Sequence, residues 1–211
     1  MSQKHIYVLI SRTQTKFARC IRALGKVKYN HSSVALDENF EKLYAFSRPQ
    51  HRAIFLGRLV RETLDRFLLN KNLVIPAVVF KIPVSAEKYD EICTHMNDIM
   101  CDDEYMYNLF SVMTYPFTHG FAVYKAFNCT EFAAYILEKI GFQLTKPLYQ
   151  YKPDDFLTLL ASYNHFEGDL KDFMVCKDTD ALYYEPYNWN LIKRNFQGLL
   201  RIFKRTYIEK H

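Results

Sequence analysis

The chain has 211 residues, 49% of them apolar and 16% aromatic, with a formal net charge of +5. That composition excludes a disordered chain and allows one fully cored domain. Five cysteines at irregular spacing, without a Cys-x-x-Cys pair, exclude a disulfide framework and a zinc-finger pattern.

In chain order, His5 to Ser11 predicts a strand. Thr15 to Leu24 predicts a short helix with Phe17, Cys20, Ile21 and Leu24 on one face, stopped by Gly25. A hairpin follows: β-formers run from Val27 to Leu36, Asp37-Glu38-Asn39 signals a turn, and a second strand spans Glu41 to Ser47. Arg58 to Leu69 is expected to be helical, with Arg58, Arg61, Glu62, Asp65 and Arg66 as surface ion pairs and Arg61 within reach of an anionic substrate. Leu73 to Val84 is a buried strand interrupted near Pro76, and Ala86 to Met100 a helix with Ser85 as N-cap. The aromatic stretch Asp103 to Thr114 is ambiguous, and Tyr115 to Phe121, with Pro116 and Gly120, is expected to be a loop. Pro153-Asp154-Asp155-Phe156 opens another short helix, and Leu170 to Cys176 is a candidate final strand. The apolar run after Met1 is too short for a signal peptide and no stretch of about 18 apolar residues exists, so a cytoplasmic protein with reduced thiols is expected.

Cys129 is the strongest candidate for chemistry. It follows Asn128, a good N-cap, and opens an amphipathic helix whose stripe is Phe132, Ala133, Ile136, Leu137 and Ile140, with Gly141 as the stop. Unpaired N–H groups and the helix dipole favour a thiolate there. The alternative is a buried cysteine packing as a small hydrophobe. His31 is the candidate base. Period-2 alternation puts Tyr29, His31, Ser33 and Ala35 on one face and Asn30, Ser32, Val34 and Leu36 on the other, so small side chains flank the imidazole. A three-residue loop, Glu38-Asn39-Phe40, would set His31 across from Ser47, whose hydroxyl could orient the ring. A strand histidine bonded only to backbone is the other reading, and Tyr29 is placed for packing or as an oxyanion donor.

His119 reads as a surface-loop histidine, and Cys20, Cys93, Cys101 and Cys176 as core. Tyr183, Tyr184, Tyr187 and Trp189 either line a groove or anchor the last helix. That helix carries Ile192, Phe196, Leu199, Leu200, Phe203 and Tyr207 at helical spacing, with Lys193, Arg194, Arg201, Lys204 and Arg205. The stripe is expected to dock on the domain with the basic face in solvent. Contact of the helix with an anionic surface is the alternative. No nucleic-acid-binding motif accompanies the charge.

The stretch from His31 to Asn39, followed by Leu43-Tyr44-Ala45-Phe46-Ser47-Arg48, resembles the histidine hairpin of the circularly permuted papain-like amidases, the YaeF/YiiX-like branch of the NlpC-type cysteine peptidase superfamily. Phe127-Asn128-Cys129-Thr130-Glu131-Phe132 is similar to that family's cysteine helix, and Pro153-Asp154-Asp155-Phe156 to another of its landmarks. The histidine precedes the cysteine by 98 residues (129 − 31), the permuted order. The resemblance implies an α+β fold with a small antiparallel sheet packed against the cysteine helix over residues 1–180, and a basic helical extension over 181–211. It implies a thiol amidase or peptidase acting through an acyl-enzyme, with Cys129 as nucleophile and His31 as base, a peptide, amide or lipid acyl substrate, and no cofactor or metal. The Asn-Cys-acidic start is also shared with acyltransferases of the lecithin:retinol type, which keeps acyl transfer open. Many relatives place Glu or another strong acceptor on the second strand, where this chain offers Ser47, with His51 further off. A silent relative binding a peptide, lipid or protein in the same cleft is the competing expectation.

Overall fold

The computed structural model describes residues 3–69, 71, 73–174 and 180–209. It is an α+β structure built on a six-stranded, wholly antiparallel sheet. The elements run β1 (Lys4–Ser11), α1 (Lys16–Gly25), β2 (His31–Ala35), β3 (Leu43–Ser47), β4 (Arg58–Arg61), α2 (Leu64–Leu68), β5 (Pro76–Val84) and α3 (Ala86–Cys101). They continue with β6 (Met106–Tyr107), α4 (Leu109–Thr118), β7 (Ala126–Phe127), α5 (Cys129–Lys139), α6 (Asp155–Leu159), β8 (Asn164–Asp169), α7 (Leu170–Phe173) and α8 (Trp189–Tyr207). The sheet order is β4-β3-β2-β1-β5-β8, and the short pair β6-β7 is parallel.

Strand periodicity explains the layering. In β1, Ile6, Val8 and Ile10 enter one apolar cluster with α3 and α5, through Ile92, Met96, Phe132, Ile136 and Leu137. Tyr7 and Leu9 enter a second cluster with Leu64 and Phe67 of α2 and Leu170 of α7. The central strands are thus covered on both faces, and the sheet separates two cores.

The expected helix over Arg58 to Leu69 is instead a four-residue strand and a five-residue helix, with Thr63 at the N-cap position. Leu59 and Val60 pair with Phe46 and Ala45 of β3, so the ladder takes the segment that the charge spacing suggested was a helix face. Glu62, Asp65 and Arg66 are buried rather than surface ion pairs. Pro116 lies inside α4 rather than in a loop; the helix runs on to Thr118 and ends at the left-handed, exposed His119. Among the described residues the last strand is β8, earlier than expected, and Leu170 starts a helix capped by Asp169. Cys101 is exposed and Cys93 half-buried, while Cys176 and the side chains of Phe17, Cys20 and Leu24 lie outside the described residues.

The orientation of α8 also differs from expectation. Its docked face carries Leu191, Asn195, Gly198, Ile202 and Arg205. Asn195 Oδ1 accepts the N–H of Phe55 at 3.2 Å, and its amide donates to the Arg52 carbonyl at 3.1 Å. A Cβ on Gly198 would come within 2.4 Å of the Phe55 carbonyl oxygen, so this close approach requires glycine. The polar backbone of the 52–57 segment therefore selects the face that docks, and the apolar stripe points away from it. Among the described residues no helix is long and apolar enough to cross a membrane.

Candidate active site

Three segments converge on the cysteine. The first is the N-terminus of α5. Asn128 Oδ1 accepts the N–H groups of Thr130 and Glu131 at 3.0 and 2.9 Å, and the Glu131 carboxylate accepts the Asn128 N–H at 3.1 Å. This reciprocal capping box fixes the helix start and leaves the Cys129 N–H outside the capping pattern. Burial pushes the Glu131 carboxyl up to about 7, against the hydrogen bonds from Asn128 and Asn108.

The second segment is the start of β2. Asp154 accepts the N–H groups of Lys28 and Tyr29 at 2.6 and 2.8 Å and so holds the chain entering the strand. Alternation holds beyond it: Val34 and Leu36 face the α5 side, and Ala35 the other. The cysteine helix therefore packs on the face opposite the one the small residues suggested. Ser32 Oγ lies 3.2 Å from Thr130 Oγ1 across that contact. His31 is the first residue of β2, and at this strand end its side chain lines the same cavity as Cys129.

The third is the end of β4, where the Glu62 N–H pairs with the Leu43 carbonyl at 2.7 Å. His31 Nε2 lies 3.0 and 2.9 Å from the two Glu62 carboxylate oxygens, leaving Nδ1 as the ring nitrogen for the sulfur. Ser33 donates its hydroxyl to Glu62 Oε2 at 2.6 Å. Glu62 thus fills the position expected of Ser47. The hairpin register was foreseen: Val34 pairs with Tyr44 and Ala35 with Leu43, and its continuation sets His31 opposite Ser47. Ser47 lines the cavity. The acceptor on the ring, however, is the carboxylate from the next strand, because a buried imidazolium needs a compensating negative charge.

The electrostatics follow from this triad. His31 and Glu62 side chains are only 13% and 5% exposed. Burial opposes the charge on His31, but the Glu62 carboxylate and the Cys129 thiolate override it and raise the imidazole to about 10. Burial likewise opposes the thiolate, and His31, with hydrogen bonds from the Ser32 backbone and Thr130, brings Cys129 below the ordinary thiol range. Glu62 is held below the usual carboxylate range against burial, chiefly by the charge on His31. All three shifts favour a thiolate–imidazolium pair with an ionised carboxylate behind it.

Tyr107, which sequence reasoning did not single out, lines both of the cavities that Cys129 lines. Burial, then the nearby thiolate, pushes its phenol well above the ordinary tyrosine range, so it remains an O–H donor. The parallel pairing of β6 with β7 sets Tyr107 beside Phe127, two residues before the cysteine. Its N–H donates to the Gly57 carbonyl at 2.8 Å. A Cβ on Gly57 would lie 2.4 Å from the Tyr107 Cβ, so glycine permits the approach. No known protein family, curated protein or solved structure matches this chain.

Two cavities of about 210 and 270 Å³ lie next to Cys129 and share Ile21, Asn30, Tyr107 and Cys129 in their linings. The first carries His31, Glu62, Arg48 and Ser47; the second is walled by Val112, Met113 and Pro116 of α4 with Tyr149 and Tyr151. Cys129 is only 7% exposed, yet it opens on both. Tyr29 and His51 line neither: Tyr29 is buried in the core, and His51 packs on Tyr183. Among the described residues no group of three or more His, Cys, Asp or Glu side chains is gathered as a metal would need.

Proposed function

We propose that the protein is a cysteine-dependent hydrolase of amide or peptide bonds, built as a permuted papain-like thiol enzyme and working through an acyl-enzyme. The observation that carries this reading is the arrangement itself: a helix-start thiol, an imidazole and a buried carboxylate line one cavity, with the carboxylate on the imidazole Nε2. A cysteine kept for packing has no use for a buried charge pair, which is costly to desolvate. The histidine-first order and the antiparallel sheet carrying the cysteine helix on one face support the permuted arrangement.

In this mechanism the Cys129 thiolate attacks the substrate carbonyl carbon. The oxyanion forms beside the Cys129 N–H at the start of α5, with the Tyr107 side chain in the same cavity as a second donor. As the C–N bond breaks, the His31 imidazolium gives its proton to the departing amine, leaving a thioester. Neutral His31 then takes a proton from water, whose oxygen attacks the thioester carbon; the acid leaves and the thiolate–imidazolium pair is restored. Glu62, held by Ser33, keeps the ring oriented and stabilises its charge. The two cavities that Cys129 lines offer separate spaces for the acyl part and the leaving group. An alcohol or amine in place of water would make the same thioester an acyl donor.

The test is acyl-enzyme trapping by intact mass with a panel of peptidyl, aminoacyl and fatty-acyl thioesters. The expected result is one acyl adduct on Cys129, absent in Cys129→Ala and not accumulating in His31→Ala. Absence of any adduct, together with alkylation of Cys129 no faster than that of exposed Cys101, would end the proposal.

A further inference from the structure

The exposed apolar stripe of α8 is unused by the site. Trp189, Ile192, Phe196, Leu200, Phe203 and Tyr207 are each 46% or more exposed. At 100° per residue they fall within an arc of about 80°, in a line about 27 Å long, and roughly 130° around the helix from the docked face. Surface helices normally bury such a stripe. Here hydrogen bonds to the 52–57 segment hold the opposite orientation, so the stripe faces outward because of the fold.

The surrounding charge says what would cover it. Residues 189–207 contain no Asp or Glu, and Lys193, Arg194, Arg201 and Lys204 are all exposed. Lys193 and Lys204 fall along one edge of the stripe, with Arg201 and Arg194 beyond them. Some of this charge is shared locally: Lys204 reaches Glu209 at 2.7 Å, and Arg201 donates to the Asp103 carbonyl at 2.6 Å. The helix nevertheless presents cations along its whole length. Two copies pairing stripe to stripe would bring these like charges together, whereas an anionic lipid surface complements them. Trp189 and Tyr207 stand at the two ends, Tyr207 half-exposed with its ring against Phe110 of α4, and both side-chain types favour the lipid headgroup region.

We propose that α8 is an interfacial membrane-binding helix that lies in the plane of an anionic bilayer, its stripe among the acyl chains and its lysines and arginines at the headgroups. The contact is peripheral and requires no spanning segment. It does not depend on the chemistry proposed for Cys129.

Trp189 is the chain's single tryptophan and is 79% exposed, which makes it a built-in reporter. The full chain is titrated with vesicles of phosphatidylcholine, alone or with about 30% phosphatidylserine, and followed by Trp189 emission and co-sedimentation. The expected result is a blue shift and co-sedimentation on the anionic vesicles. Binding to the neutral vesicles, and binding of Lys193→Gln/Arg194→Gln to the anionic ones, should be at least roughly tenfold weaker. Phe196→Glu/Phe203→Glu should lose binding while keeping the wild-type far-ultraviolet circular dichroism and Cys129 alkylation profile, and Cys129→Ala should bind as wild type. Three results would each overturn the proposal: no shift on either vesicle, binding unchanged in Phe196→Glu/Phe203→Glu, or a blue shift that grows with protein concentration in the absence of lipid.

Discussion

Glu62→Gln isolates the electrostatic part of the triad. The substitution keeps the shape, and the amide oxygen can still accept the Ser33 hydroxyl or the His31 Nε2–H, so only the charge is removed. In the native site the carboxylate is the largest influence raising His31 to about 10 against burial. Without it, burial pushes the imidazole towards neutrality, and a neutral ring no longer holds the Cys129 thiolate. An unassisted thiol titrates near 8.5, and burial raises it further. At pH 6 the thiolate fraction of the variant should therefore lie below about 1 in 300, and below that of the native protein.

Alkylation by iodoacetamide reads that fraction directly, with Cys129→Ala subtracting the other thiols. In the native protein the Cys129 rate should persist to lower pH than that of an ordinary thiol such as exposed Cys101. In Glu62→Gln the profile should move to higher pH, with the largest loss of rate at pH 6. A profile shared by both proteins would refute the argument, since the carboxylate would then have no part in charging the pair. A rate lost at every pH would point to a closed cleft instead, and a native far-ultraviolet spectrum with normal Trp189 emission would leave that as the explanation.

Tyr107→Phe should separate thiolate formation from oxyanion stabilisation: acyl-enzyme formation falls by about 10²-fold while the alkylation profile moves by less than about one unit, compared by stopped-flow acylation. Gly57→Ala should cost about 1–3 kcal/mol in denaturant unfolding and slow acylation as Tyr107→Phe does, because the new methyl displaces Tyr107. Glu131 supplies a pH test of the helix start. Its folded carboxyl titrates near 7 against about 4.5 unfolded, so the stability it lends is full below 4.5 and is lost as pH rises through 7. Glu131→Gln should remove about 3 kcal/mol of that decline, measured as the difference between the two proteins' urea midpoints across pH 4 to 8.

The parts of the site set by local rules were legible. Asn128 and Glu131 flanking Cys129 predicted the capped start of α5, and the structure adds the reciprocal bond between them. The three-residue turn before Glu41 predicted the β2–β3 register. Glu62 and Tyr107 were not legible, for different reasons. Leu59 and Val60 are only two apolar residues between charged ones, a pattern as compatible with one helical turn as with a short edge strand, and pairing with β3 decided it. Tyr107 belongs to a two-residue parallel ladder, too short to carry any periodicity. Thr63, a good N-cap type one residue past Glu62, was the available signal that a helix starts only at Leu64.

The two misplaced faces share a cause. Periodicity reports which side chains lie together, and says nothing of what their face meets. In β2 the alternation was right, but the cysteine helix lies against Ser32 and Val34, and His31 shares a cavity with Cys129 because it is the strand's first residue, where the sheet ends and side chains from both faces can converge. In α8 the stripe was right, but Gly198 and Asn195 meet a stretch of backbone that has polar groups to satisfy, and no apolar face could have satisfied them. Unsatisfied backbone outranked apolar burial there, which is why the most hydrophobic surface of the helix faces outward.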